Sequence, residues 1–66
     1  MNVVVNGRGV ELEQRATVAG LLDRLGLDTP YALVERNGEA VERARYGELE
    51  LEEGDTLVVA RPVAGG

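Results

Sequence analysis

Cysteine and histidine are both absent from this chain of 66 residues. Without cysteine the chain can form neither disulfides nor thiolate metal sites, and it has no thiol nucleophile. Without histidine it lacks the imidazole that most often performs acid–base catalysis near neutral pH. These two absences exclude the commonest side-chain chemistries of small enzymes and zinc domains.

Lysine is absent as well, since all seven basic residues are arginine. The chain therefore has no side-chain amine that could form a Schiff base or accept a conjugated modifier. Seven basic residues against twelve acidic ones give a net charge of −5. Nucleic acids and anionic membrane surfaces are bound by basic faces, so neither is an expected partner.

Long apolar runs are also missing, because no stretch approaches the ~20 residues that span a bilayer. Residues Met1–Asn6 contain no basic segment followed by an apolar one, so we expect no signal peptide and a cytoplasmic location. A domain of this size buries only about 60% of the surface of its unfolded chain, which leaves little room for an enclosed active site. The size therefore favours a carrier, a modifier or an interaction module over an enzyme.

Alternation and turn residues predict the strands. Val3-Val4-Val5 is typical of a strand buried on both faces, and Val10–Glu13 alternates like a half-exposed strand, with the hairpin signal Asn6-Gly7 between them. Further strands or strand-like segments are predicted over Tyr31–Arg36, Glu39–Val41, Glu48–Leu51 and Thr56–Arg61, with turns at Asp28-Thr29-Pro30 and Asn37-Gly38 and a 3₁₀ turn over Arg43–Gly47.

One helix is predicted after Thr17, a residue type that caps helix N-termini. Four apolar residues recur at the spacing i, i+3, i+4, i+7 and form one stripe: Val18, Leu21, Leu22 and Leu25. Gly26 supplies the stop signal. Gly20 lies inside the helix, where glycine costs about 1 kcal/mol relative to alanine, and we attribute it to close packing on the sheet.

This order of elements predicts an α+β domain of the β-grasp, or ubiquitin-like, type over residues 1–61. Its mixed sheet of four to five strands carries the main helix across one face. The first and last strands are the most uniformly apolar, so they should lie side by side at the sheet centre. Pro62 ends the last strand, and residues 62–66 are expected to form a flexible C-terminal tail.

Two other patterns have simpler explanations than a binding site. The loop Gly7–Gly9 lacks the third glycine of a dinucleotide fingerprint and the lysine of a P-loop, so a hairpin turn is the better interpretation. The acidic residues of Glu48–Asp55 fit no calcium-loop spacing, and alternation places most of them on a solvated face. We predict no metal site and no cofactor bound by the chain itself.

The C-terminal sequence is the strongest functional signal. Its side chains shrink progressively over Val63-Ala64-Gly65-Gly66, and a segment without side chains can thread a narrow channel. The carboxylate of Gly66 could then reach a nucleotide held by a partner enzyme. We therefore expect Gly66 to be the modified residue, with Gly65, Ala64 and Val63 giving steric access.

Alternation along the last strand also suggests a docking patch. Leu57 and Val59 should point towards the helix, and Val58 and Ala60 should point outward. The outward pair is a candidate for partner docking. The alternative, in which this pair packs at a covered sheet edge, stays open at this point.

Six segments spread over the whole chain carry a resemblance to a known family: Asn6-Gly7, Thr17–Leu22, Leu25–Leu27, Ala32–Glu39, Gly54-Asp55 and Pro62–Gly66. Together they resemble the sulfur carrier proteins of thiamin biosynthesis, the ThiS family. The most specific parts are Val34–Glu39 and the terminal Gly65-Gly66. Tyr46 is a departure, because the family leads us to expect tryptophan there.

The resemblance implies a co-substrate without catalytic side chains of its own. In this family a partner adenylating (E1-like) enzyme uses ATP to convert the C-terminal carboxylate, here that of Gly66, to an acyl-adenylate. A persulfide sulfur donor then displaces AMP, which leaves a thiocarboxylate. Thiazole synthase takes the sulfur from this thiocarboxylate to form the thiazole ring.

Other functions are compatible with the same fold and tail. One is the small sulfur-carrying subunit of molybdopterin synthase, although those chains are usually longer and Tyr31–Glu39 fits the thiamin carrier better. Another is a ubiquitin-like modifier conjugated to lysines of other proteins. A third is a β-grasp binding module whose tail is inert.

Overall fold

Five short strands and one α-helix make up the part of the chain that the structure describes, residues 1–27 and 31–61 of a computed structural model. In chain order the elements are β1 (Asn2–Val5), β2 (Arg8–Glu11), α1 (Val18–Arg24), β3 (Leu33–Arg36), β4 (Glu39–Ala40), a 3₁₀ turn (Arg43–Arg45) and β5 (Thr56–Ala60). The predicted turn at residues 28–30 lies outside the described residues.

The sheet is mixed, with the strand order β2-β1-β5-β3-β4. β1 and β5 run parallel, with Val4 opposite Thr56 and Val5 opposite Leu57, and the other neighbouring strands are antiparallel. The predicted position of the first and last strands at the centre of the sheet is therefore confirmed. The predicted β-grasp arrangement, a mixed sheet with one helix against one face, is confirmed as well.

Both Asn-Gly pairs form the hairpin turns that they predict. Asn6 and Gly7 have φ angles of 51° and 82°, and Asn37 and Gly38 have φ angles of 50° and 87°. Positive φ at both central residues is typical of the type I′ turn, whose twist matches that of the flanking strands. The two turns connect β1 to β2 and β3 to β4 and set the register of each hairpin.

The helix α1 begins and ends where the sequence predicts. The Thr17 hydroxyl accepts a hydrogen bond from the Gly20 N–H at 3.1 Å, and Gly26, with a φ of 74°, follows the C-cap residue Leu25. Three residues of the predicted stripe are fully buried: Val18, Leu21 and Leu22. Leu25 remains 39% exposed, so the buried stripe is shorter than predicted. No helix in the described part of the chain is long and apolar enough to cross a bilayer.

The explanation predicted for Gly20 is wrong. A Cβ atom at this position would contact only the Thr17 hydroxyl oxygen, at 3.5 Å, which is an ordinary van der Waals distance. Gly20 is exposed to solvent and does not face the sheet closely. Nothing in the structure explains why this position is glycine.

The hydrophobic core lies between α1 and the inner face of the sheet. The strands contribute Val3, Val5, Val34, Leu57 and Val59. Tyr46, which follows the 3₁₀ turn, is buried beside them, and its hydroxyl donates a hydrogen bond to the buried Ala32 carbonyl at 2.9 Å. A buried tyrosine needs such a partner. This contact ties the segment before β3 to the 3₁₀ turn.

Two strand predictions need correction. Val4 is 38% exposed, although Val3-Val4-Val5 is typical of a strand covered on both faces, because α1 packs against only one face of the described sheet. The alternating segment Glu48–Leu51 forms an isolated bridge, Glu50 to Thr17, in place of a strand. The predicted alternation of burial is present all the same, since Leu51 is buried and its acidic neighbours Glu50 and Glu52 are exposed.

Candidate functional site

The last strand, β5, presents two kinds of surface. Leu57 and Val59 are buried on the helix side, whereas Val58 and Ala60 are exposed on the opposite, outer face of the sheet. The predicted alternation is therefore correct. The alternative of a covered sheet edge does not apply, because β5 is a central strand and Val58 is 49% exposed.

An apolar patch extends from β5 across the outer face of the sheet. We call it the outer patch and define it as Val4, Leu33, Val58 and Ala60. Leu33 lies opposite Ala60 in the β3–β5 ladder and is 48% exposed. Only Val58 and Ala60 are predicted from the sequence. Leu33 could have been found from the alternation of β3, whereas Val4 is assigned to the core by the apolar run in which it lies.

An open depression of about 280 Å³ adjoins the outer patch. Its lining residues include three members of the outer patch, Leu33, Val58 and Ala60, together with Ala40 and Val41. Small-molecule sites usually have volumes of about 300–1,000 Å³ and enclose their ligand, so this surface suits a protein contact better than a nucleotide. Glu35 lies opposite Val58 in the ladder and is exposed on the same face as Leu33, so it places a negative charge directly beside these two patch residues.

A buried carboxylate holds the start of β5. Asp55 is 5% exposed and accepts hydrogen bonds from the Glu52 N–H (2.7 Å), the Arg36 guanidinium (2.9 Å) and the Asn37 amide (3.0 Å). Burial by itself raises the pKa of Asp55, but these three hydrogen bonds and the Arg36 charge outweigh it and hold the pKa below its ordinary value. Arg36 also forms an ion pair with Glu52 at 2.9 Å. Asp55 thus fixes the chain immediately before β5 through contacts with Glu52, Arg36 and Asn37.

The described residues offer no metal centre. No group of three or more His, Cys, Asp or Glu side chains within residues 1–27 and 31–61 is arranged to hold a metal ion. The loop Gly7–Gly9, interpreted as a turn, is part of the β1–β2 hairpin.

The predicted reactive segment follows the outer patch directly in the sequence. Arg61 is the last described residue, and it comes immediately after Ala60. The predicted tail, residues 62–66, lies outside the described residues, and with it lie Val63, Ala64, Gly65 and Gly66. Their roles in modification and tail access stay predictions.

Comparison with known proteins identifies relatives that match all or nearly all of the chain. The model of the ThiS family matches residues 2–66. Among curated proteins, a thiazole synthase from Paramagnetospirillum magneticum is 35% identical over 66 residues, which is 100% of this chain and 20% of that protein. The chain thus spans about a fifth of the length of the curated relative that it matches.

Solved structures share the fold. The crystal structure of the thiamine biosynthesis protein ThiS from Geobacter metallireducens has a TM-score of 0.80 and 30% identity, and the match covers 100% of both chains. The solution structure of a thiamine biosynthesis protein from the same organism has a TM-score of 0.79 and 30% identity, covering 100% of this chain and 88% of that one. SAMP1 from Haloferax volcanii has a TM-score of 0.62 and 25% identity, with coverage of 98% and 97%.

Proposed function

The chain belongs to the ThiS family of sulfur carriers in thiamine biosynthesis, and from that premise we propose that it carries sulfur as a thiocarboxylate on Gly66. The observation that supports this proposal is the family match, which runs through the final Gly65-Gly66. In this proposal Gly65, Ala64 and Val63 allow the tail to enter a partner's active site because their side chains are small or missing.

Activation is needed because a carboxylate is a poor acyl donor. We propose that a Gly66 carboxylate oxygen attacks the α-phosphorus of ATP in a partner adenylating enzyme, and that pyrophosphate leaves. The resulting acyl-adenylate has AMP as a good leaving group. The terminal sulfur of a persulfide donor then attacks the carbonyl carbon and displaces AMP, which gives an acyl disulfide between the donor and Gly66. A second thiol, supplied by the donor or by the adenylating enzyme, attacks the donor's sulfur, so that the donor and this thiol become a disulfide and the thiocarboxylate is released on Gly66.

This reaction scheme assigns no catalytic side chain to the carrier. Cysteine, histidine and lysine, three residue types that act as nucleophile or general base in many enzymes, are missing from its sequence. We therefore infer a co-substrate whose partners perform the chemistry. In this proposal ATP is bound by the adenylating enzyme, and the reaction takes place in the cytoplasm.

We propose the outer patch as the surface that docks on the adenylating enzyme. Val58 and Leu33 are each about half exposed, and Ala60 is the residue from which the chain continues to the tail. Six residues follow Ala60, and a fully extended chain spans at most ~3.3–3.6 Å per residue, so Gly66 can reach at most ~20 Å beyond it. The patch is thus close enough to the reactive end for docking to guide it.

We propose thiazole synthase as the protein that receives the sulfur. A segment that is 35% identical to this whole chain lies within a larger protein named thiazole synthase. A carrier-like segment and the remainder of that protein therefore share one polypeptide, which supports a functional pairing of the two. The identity of the sulfur donor does not follow from this match.

The proposal is tested by measuring the intact mass of the chain after incubation with ATP, the adenylating enzyme, a persulfide donor and a thiol reductant. We expect a mass gain equal to the replacement of one oxygen atom by sulfur, localised to Gly66 by fragmentation. The matched control lacks only Gly66 and should not gain this mass. The isolated wild-type chain is measured first to verify that it ends at Gly66.

Four outcomes would contradict the proposal or redirect it. An unchanged mass, with an enzyme that demonstrably binds the chain, would refute the sulfur-carrier function. Transfer of sulfur to the large subunit of molybdopterin synthase, and none to thiazole synthase, would favour the rival carrier function. Higher-mass conjugates to lysines of other proteins would favour a modifier. Partner binding that is unchanged when Gly66 is removed, with no mass gain in the wild-type chain, would favour a binding module with an inert tail.

A further inference from the structure

The two asparagines of the hairpin turns also bind the backbone of β5 through their side chains. Asn6 Oδ1 accepts a hydrogen bond from the Val59 N–H at 2.9 Å, and Asn6 Nδ2 donates one to the Val59 carbonyl at 3.0 Å. Asn37 Oδ1 accepts a hydrogen bond from the Thr56 N–H at 2.9 Å, and the Asn37 N–H donates to the Thr56 carbonyl at 2.7 Å. Each Asn-Gly turn thus holds one end of β5.

The Asn6 side chain continues the sheet beyond the end of β1. The backbone of β1 pairs with β5 as far as Leu57, whose carbonyl accepts a hydrogen bond from the Asn6 N–H at 2.9 Å. The chain then turns away, with Asn6 at a φ of 51°. A primary amide has the same donor and acceptor as a peptide group, and Asn6 uses both on Val59.

This contact is close to the predicted reactive end of the chain. Val59 precedes the last described residue, Arg61, by two positions and precedes Gly66 by seven. On its other side Val59 lies opposite Val34 of β3. Without the Asn6 amide, the Val59 N–H and carbonyl would lose their partners on the β1 side, and the end of β5 would be attached through β3 alone.

We propose that Asn6 is a positioning residue for activation of the C-terminal carboxylate: its amide fixes the end of β5 and thereby the point from which the tail enters the adenylating enzyme. This inference rests on the proposed function. An enzyme that must align a carboxylate with the α-phosphorus of ATP loses rate when the approach geometry is less well defined. Asn37 binds the opposite end of β5 and has no such role.

The two turns provide a matched pair of variants. Asn6→Gly removes the amide and keeps the turn, because glycine readily adopts a positive φ. Asn37→Gly removes an amide from the same backbone conformation at the opposite end of β5, and it additionally removes the hydrogen bond that this amide donates to Asp55. ATP–pyrophosphate exchange by the adenylating enzyme, measured against carrier concentration, separates kcat from KM. Amide hydrogen exchange by NMR reports on Val59 and Thr56.

We expect Asn6→Gly to accelerate exchange of the Val59 amide about tenfold, since two hydrogen bonds of modest net strength are lost. The kcat for pyrophosphate exchange should fall about five- to tenfold. The KM for the carrier should stay within about twofold, because all four side chains of the outer patch are retained and β3 still pairs with β5. Asn37→Gly should accelerate exchange at Thr56 and leave kcat unchanged. Asn6→Asp, which keeps the acceptor and loses the donor, should recover part of kcat.

If the wild-type chain is activated normally, two results would overturn the positioning role of Asn6 and leave the proposed function intact. One is an unchanged kcat in Asn6→Gly despite faster exchange at Val59. The other is an equal fall in kcat in Asn6→Gly and Asn37→Gly, which would indicate general loosening of the domain. A wild-type chain that supports no pyrophosphate exchange with an enzyme that binds it would overturn the proposed function itself, and the positioning role with it.

Discussion

Docking through the outer patch predicts how much binding is lost when Val58 and Leu33 are trimmed to alanine. Both side chains are about half exposed, at 49% and 48%. Burying the exposed half against a partner is worth about half of the ~1.5–3 kcal/mol for full burial of such a side chain, or ~0.7–1.5 kcal/mol. Alanine retains part of this contact, so each substitution should cost about 0.5–1 kcal/mol. Together they should raise the Kd for the adenylating enzyme about 5- to 30-fold.

Isothermal titration calorimetry with the adenylating enzyme measures these Kd values for the wild type, both single variants and the double variant. Leu25→Ala is the matched control, because Leu25 is also partly exposed, at 39%, but belongs to the helix layer on the other side of the sheet. Its Kd should equal that of the wild type. Thermal unfolding verifies that each variant is folded. A wild-type Kd for the double variant, or an equal loss for Leu25→Ala, would refute the reasoning.

Two further predictions concern stability. Tyr46→Phe leaves the buried Ala32 carbonyl without its hydrogen bond, so it should destabilise the domain by about 1–2 kcal/mol, and an unchanged Tm would contradict this. The pKa of Asp55 is lowered on folding, so its contribution is complete above the unfolded pKa of about 3.9 and is lost as pH falls through the lower folded pKa. The free energy of unfolding, measured with urea, should therefore depend less on pH below about 4 in Asp55→Asn than in the wild type. An equal pH dependence in the two proteins would contradict a lowered pKa of Asp55.

The sequence predicts the sheet order well because its turn and strand signals are local. Asn6-Gly7 and Asn37-Gly38 determine both hairpins, and the apolar β1 and β5 lie at the centre as expected. The argument for this central position, that apolar strands are buried on both faces, is wrong about the burial of β1, however. Val4 is apolar but partly exposed, since a central strand can have one open face when a single helix covers the other.

The candidate site is predicted less completely. Alternation along β5 correctly points Val58 outward, but the outer patch also includes Leu33, which becomes its neighbour only through the β3–β5 register. The contact of Asn6 with Val59 joins residues 53 positions apart, and no local pattern indicates it. Asparagine in a hairpin turn is explained by its conformation alone, so a second role for its side chain cannot be seen in the sequence.

The parallel pairing of β1 with β5 has a consequence for folding. Val5 lies opposite Leu57, so the central ladder joins the two ends of the domain and cannot form until nearly all of the chain is available. Contacts of such large sequence separation form late and slow folding, whereas the two hairpins can form early. The outer patch is assembled from β1, β3 and β5 and therefore exists only after this last step. Partners that bind it would accordingly distinguish completed domains from nascent or misfolded chains, and activation would be restricted to folded carriers.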